Sequence, residues 1–175
     1  MKFLKDNTIV DITEALVKDA KDIIEYFKIV GSESTYLIMD ETGLNMTVEE
    51  EEAYLEKANS SKTNKIFIAK NKDEIIGEVG LKGHKSPKTK HNVSFGITVK
   101  KAYQNKGLGT LLLEHAINYA RITGEIKNIY LEVREDNDLA INLYKKNGFK
   151  QVGVMPDKIF IDGKYKDELI FLLQI

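Results

Sequence analysis

The junction over residues 92–110 constrains the fold of this chain most. Asn92–Val99 alternates polar and apolar residues, as a half-buried strand does, and Lys100-Lys101-Ala102-Tyr103 then leads into Gln104-Asn105-Lys106-Gly107-Leu108-Gly109-Thr110. Leu108, Leu111, Leu112, Ala116, Tyr119 and Ala120 follow at helical spacing, toward a stop near Gly124. A strand that passes through two close glycines into a helix lets the backbone approach a ligand and aims the first helical N–H groups at it. Such a turn is an anion cradle, and a pyrophosphate is its natural occupant. A phosphate-loop NTPase would need Lys-Ser/Thr after the second glycine, but Gly109 is followed by Thr110-Leu111. A dinucleotide-binding turn would need a third glycine where Leu112 stands, and an all-parallel start to the chain. A merely structural glycine turn ahead of a core helix remains open.

Around this junction the two hydrophobic periods alternate. Thr8–Thr13 reads as a strand, and Ala20, Ile23, Ile24 and Phe27 mark a helix. Thr47-Val48-Glu49-Glu50 is a capping-box start for a second helix, whose acidic first turn suits the positive end of the helix dipole. Strands are predicted over Lys65–Lys70, Glu74–Lys82, Asn92–Val99 and Lys127–Arg134, with a helix over Asp138–Asn147 that stops at Gly148. Phe149–Ile161 and Lys164–Leu173 form a closing hairpin through Asp162-Gly163. The order β-α-α-β-β-β-α-β-α-β-β predicts an α/β (α+β) mixed sheet with helices on both faces. No linker or repeat interrupts it, so residues 1–175 read as one domain, a usual size for a single core.

The net charge of −1 removes any bulk field for coating DNA or RNA. That total conceals a segregation. Residues 1–60 hold fourteen acids and six bases, whereas residues 82–106 hold seven lysines and no acid. Glu33, Asp40, Glu41 and the Glu49–Glu52 run are candidates to draw in a cationic substrate, although the last run also simply complements a helix N-terminus. With no Cys, the chain has no thiol nucleophile, disulfide framework or Cys-ligated metal. The start, Met1-Lys2-Phe3-Leu4-Lys5-Asp6, lacks a signal-peptide apolar core, and apolar runs such as Leu169–Leu173 are too short to span a bilayer. A soluble, cytoplasmic protein is expected, with neither nucleic acid nor membrane as partner.

The pattern Gln104-x-x-Gly107-x-Gly109 after a strand ending at Val99 has company about thirty to forty residues on. Val133-Arg134-Glu135-Asp136-Asn137 and Leu143-Tyr144-Lys145-Lys146-Asn147-Gly148-Phe149 follow it in order. Together these resemble the GNAT superfamily of N-acetyltransferases over nearly the whole chain, most closely the branch of ribosomal-protein N-terminal, polyamine and small-amine acetyltransferases. The resemblance implies a splay between the fourth and fifth strands that receives acetyl-CoA as co-substrate, with no metal. Ile97 and Val99 would pair with the pantetheine arm. Gln104, Asn105, Lys106, Gly107, Leu108, Gly109 and Thr110 would hold the pyrophosphate, with Lys100, Lys101 and Lys106 alongside. Asn137 would reach the pantetheine amides or cap the next helix, or both.

By the same resemblance the Tyr144 hydroxyl would protonate the leaving thiolate; outside the motif such a tyrosine is core packing. Many relatives carry a basic Glu on the strand before the turn, where Ser94 stands here. Glu78, His91 and Glu132 are the nearest substitutes, against the plain readings of Glu78 facing water and His91 lying exposed beside the lysine loop. An amine arriving neutral would need no strong base at all. The implied reaction is acetyl transfer to a primary amine of a small molecule or a peptide N-terminus. The alternatives are a catalytically silent acyl-CoA-binding or regulatory module and, on the glycine turn alone, another nucleotide-binding domain. The acceptor would lie among the first helices, the loop over residues 33–46 and the closing hairpin. Homodimers are frequent among such proteins, but no feature of this sequence marks an interface.

Overall fold

The computed structural model describes residues 2–175; of the N-terminal stretch read above, Met1 lies outside the described residues. Eight strands and four helices follow in order: β1 (Lys2–Phe3), β2 (Ile9–Glu14), α1 (Ala20–Glu33), α2 (Val48–Asn59), β3 (Lys65–Asn71), β4 (Glu74–Gly83), β5 (Asn92–Val99), α3 (Leu108–Thr123), β6 (Asn128–Arg134), α4 (Asp138–Lys146), β7 (Lys150–Ile161) and β8 (Lys164–Gln174). They form one mixed sheet in the order β1-β2-β3-β4-β5-β6-β8-β7. Every neighbouring pair is antiparallel except β5 and β6, which the α3 crossover joins in parallel. The β3–β4 and β7–β8 pairs are hairpins, and in the second Asp162 and Gly163 both take positive φ, the two-residue turn that matches strand twist.

The expected order omits one element. Lys2–Phe3 pairs with Val10 and Ile9 as an edge strand, too short for any periodicity to mark. The implied splay therefore lies between β5 and β6, which are the fifth and sixth strands.

Helices cover both faces. On one, Leu108, Leu112, Leu113 and Ala116 of α3 and Ile141 and Tyr144 of α4 pack with Val79, Leu81, Val93, Phe95, Leu131 and Phe171. On the other, Ile23, Tyr26, Phe27 and Val30 of α1 and Leu55 and Ala58 of α2 pack with Ile66, Ile68 and Ile75. The capping box forms as expected: Glu50 N–H donates to Thr47 Oγ1 at 3.2 Å, and Thr47 N–H to Glu50 Oε2 at 2.9 Å. Among the described residues no helix is long and apolar enough to cross a membrane.

Candidate functional site: a wedge between β5 and β6

Pairing of β5 with β6 covers only Asn92–Asn128, Val93–Ile129 and Ser94–Tyr130. Beyond Ser94 the strands part, while β4 and β5 stay paired to Gly77–Val99. The result is a wedge, closed at Ser94 and open at Val99. Lys100 N–H bonds Ile76 O at 3.1 Å, so residues 94, 96 and 98 share that inward edge and Phe95, Ile97 and Val99 turn their backbone groups into the wedge. Gln104 Nε2 donates to the Val99 carbonyl at 3.1 Å, so of the expected pantetheine partners this oxygen already serves the turn. The Val99 N–H and the Ile97 edge remain for a peptide-like chain.

At the open end stands the cradle. Asn105 and Gly107 take φ of 61° and 93°, and α3 begins at Leu108 with no side-chain cap. The first N–H of this turn with a helical acceptor is that of Leu111, to Gly107 O, which leaves the Leu108, Gly109 and Thr110 N–H groups pointing out of the helix end. Gly107 is needed for its left-handed backbone. At Gly109 a Cβ would make only an ordinary contact, 3.4 Å from Leu143 Cδ2 of α4, so the left-handed backbone at Gly107 is the stricter requirement. The turn between β1 and β2 supports the cradle: Lys5 N–H donates to Lys106 O at 3.0 Å, and Asp6 binds Lys106 Nζ at 2.9 Å, which holds the Asp6 carboxyl well below the usual carboxylate range. No local signal tied residues 5 and 6 to residue 106.

The lysine-rich stretch does not act as one patch. Lys82 pairs with Ser94 at the closed end, and Lys85, Lys88 and Lys90 precede β5, about 25 Å of extended strand from the cradle. Lys100, expected beside the phosphates, turns to the opposite face. It is buried, binds Glu74 at 2.7 Å and lies 5.9 Å from the Tyr26 ring centroid. Only Lys101 and Lys106 stay at the turn.

Tyr144 lies at the apex of the wedge on the α3–α4 face, edge-on to Phe95, the first residue past the last β5–β6 pair, at 6.1 Å between centroids. Burial raises its hydroxyl to about 12, so it stays protonated throughout the neutral range. Among the described residues that hydroxyl has no hydrogen-bond partner. Asn137 does cap α4, its Oδ1 accepting from Ala140 N–H at 3.2 Å, which leaves its amide NH2 for a ligand.

On the opposite face, Glu78 of β4 is register partner to Thr98. It does not face water. It is 8% exposed and raised to about 8, by burial first and then by the carboxylate of Glu51 on α2. Glu51, read above as part of a run that either draws in a cationic substrate or complements the helix N-terminus, is 2% exposed and raised by burial to about 7. The other candidates fare differently. His91 lies at the closed end, its carbonyl accepting from Lys127 N–H at 2.8 Å, and is not brought to the opening. Ser94 donates to Lys82 O at 3.3 Å. Glu132 is exposed on β6, beside the buried Glu168.

The acids expected to attract a substrate are partly structural. Glu33 accepts from Lys101 N–H at 2.8 Å, and Asp40 from Thr42 N–H at 2.9 Å. The loop between α1 and α2 bridges the two arms: Arg134 at the end of β6 donates to Thr35 O at 2.7 Å and stacks 4.3 Å from the Tyr36 ring. Gly31 makes that loop possible, since a Cβ there would stand 1.9 Å from Asp40 O.

This geometry has known counterparts. The chain is 31% identical over 84 residues to a spermidine N(1)-acetyltransferase of Vibrio cholerae, covering 47% of this chain and 49% of that protein. To an N-alpha-acetyltransferase of Sulfurisphaera tokodaii it is 36% identical over 97 residues, 51% and 58% of the two chains. The chain thus matches about half the length of these curated relatives. An acetyltransferase of the GNAT family from Streptococcus pneumoniae matches along the fold with a TM-score of 0.93 and 32% identity, over 95% of this chain and 100% of that one. The family model described as "Acetyltransferase (GNAT) family" matches residues 33–149, from the end of α1 to just past α4. The chain belongs to the GNAT acetyltransferase family.

Proposed function

We propose that the protein is an acetyl-CoA-dependent N-acetyltransferase that moves an acetyl group from the thioester directly onto a primary amine, of a small molecule or of a protein N-terminus. One observation carries this reading: a strand edge released from its ladder after Ser94 runs straight into an uncapped helix N-terminus. An elongated ligand with an amide-bearing arm and a pyrophosphate fits both halves at once. Ile97 and Val99 hold the arm, Gln104 to Thr110 the pyrophosphate, and the Asn137 amide the arm's far side. Bound acetyl-CoA supplies an activated thioester, so much of the acceleration comes from holding amine and carbonyl together. A β5 backbone N–H that faces the wedge stabilises the developing oxyanion. Tyr144 donates its proton to the departing sulfur, and Glu78 takes the proton of the incoming ammonium.

Polyamine and N-terminal acceptors, named for the two relatives, share one reacting group, a primary ammonium. A second reading, a silent acyl-CoA-binding module, is favoured by the absence of a carboxylate from β5, where Ser94 is engaged with Lys82. Thermal shift and turnover separate the two. CoA stabilises the protein where ATP and NAD do not, and a panel of amines, amino acids and N-terminal peptides contains acceptors that release CoA. Binding without turnover across the panel favours the silent module, and no stabilisation at saturating CoA removes both.

A further inference from the structure

The α1–α2 face holds two acids that no counter-charge explains. The buried residues of α2 are Glu51, Leu55 and Ala58, one stripe at helical spacing. Leu55 and Ala58 pack in the cluster that contains Ile68, and Ile68 is the β3 register partner of Glu78. The helix therefore sets Glu51 over the patch of sheet from which Glu78 rises. Glu51 Oε2 is fully buried without a hydrogen-bond partner, and among the described residues no lysine or arginine pairs with either acid. An unpaired buried carboxylate is costly, so such a pair either keeps a proton or takes a cation from outside.

The surroundings show from where. Gly80 and Gly96 are cross-strand partners, and Glu78 Oε1 lies 3.2 Å from the place of a Gly80 Cβ. A Cβ on Gly96 would meet nothing within 4 Å. Gly96 stands two residues beyond the last β5–β6 pair, so a bare two-glycine floor runs from the wedge to the Glu78 carboxyl. The other groups facing it are few. Tyr54 comes from α2; Tyr26 from α1 donates its hydroxyl to Thr98 Oγ1 at 2.9 Å; Glu132 stands across the wedge; Lys100 is held by Glu74.

We propose that Glu51 and Glu78 act as one unit, a buried carboxyl pair that holds a single proton over the Gly80–Gly96 floor, with Glu51 as the positioning residue that keeps Glu78 ready to receive the acceptor ammonium. The proposal rests on the transferase reading above and deepens its acceptor side. The ammonium loses one proton to the pair, and the freed nitrogen lone pair forms the N–C bond as the C–S bond breaks. The second N–H proton ends on sulfur through Tyr144, and the pair releases its own to solvent. The raised protonation of both acids accords with this, as two macroscopic steps that belong to the pair rather than to either residue.

The test is a carboxyl titration of the acetyl-CoA-free protein by carbon-13 NMR, for wild type, Glu51→Gln and Glu78→Gln. In wild type two side-chain carboxyls titrate above pH 6. In Glu51→Gln the remaining one titrates about one pH unit lower, because its like charge is gone. Adding n-butylammonium chloride lowers the wild-type midpoints, and sodium chloride at equal ionic strength does not. Ordinary carboxylate titration near pH 4.5 in wild type, or no change in Glu51→Gln, overturns the pair. Melting curves verify that each variant folds. The outcome is separate from the parent reading: a protein that binds CoA and turns over amines but shows no coupled carboxyls loses only this inference.

Discussion

The two faces of the wedge are built by different means. On the α3–α4 side, the cradle is backbone: residues adjacent in sequence, a left-handed Gly107, and N–H groups left over by helix geometry. On the α1–α2 side, the chemistry is side chain: two acids twenty-seven residues apart meet only because α2 folds back over β3 and β4. A backbone site tolerates most side-chain changes and is sensitive to glycines. A buried carboxyl site is the reverse, sensitive to single isosteric substitutions and to pH.

That contrast can be broken in graded ways. Tyr144→Phe, at the apex between the faces, should lower kcat by about a hundredfold while leaving CoA binding within twofold, since the ring packing against Phe95 survives. Unchanged turnover would remove the acid assignment. Gly107→Val is next: a β-branched residue at φ 93° strains the turn, and CoA affinity should fall about tenfold in a calorimetric titration, with kcat at saturation little altered.

A third prediction concerns pH. Glu51 and Glu78 bind protons more tightly folded than unfolded, so their contribution to stability is present below the ordinary carboxylate range and is lost as pH rises through about 7 to 8. The melting temperature should fall between pH 5 and 9. Glu51→Gln should flatten that fall and melt about 3 °C above wild type at pH 9, as scanning calorimetry would show. The smallest effects separate the lysines: Lys106→Ala should raise KM for acetyl-CoA a few-fold, and less so at high salt. Lys100→Ala should leave KM alone, because that ammonium serves Glu74 on the other face.

How much of this was legible follows the same divide. The junction over residues 92–110, the capping box at Thr47 and Glu50 and the Asp162-Gly163 turn are local patterns, and each forms as its residues require. Lys2–Phe3 was missed because two residues have no period, and with it the Asp6–Lys106 contact that braces the cradle. Lys100 was misplaced because a run of lysines carries no sign of which side of a strand each occupies. Glu51 was readable in principle, one turn ahead of Leu55 and two ahead of Ala58, but its place among four consecutive glutamates hid a stripe that the helix period marks. His91 was a candidate from the start of the strand, beside the lysine loop, and it stays at that closed end, a full extended strand from the turn.

Amide hydrogen exchange with and without saturating CoA shows whether the wedge holds acetyl-CoA across its open edge. CoA should slow exchange at Ile97 and Val99 and at Leu108, Gly109 and Thr110, with ATP protecting at most the last three. Unchanged exchange at all five amides, or protection confined to another surface, would contradict it.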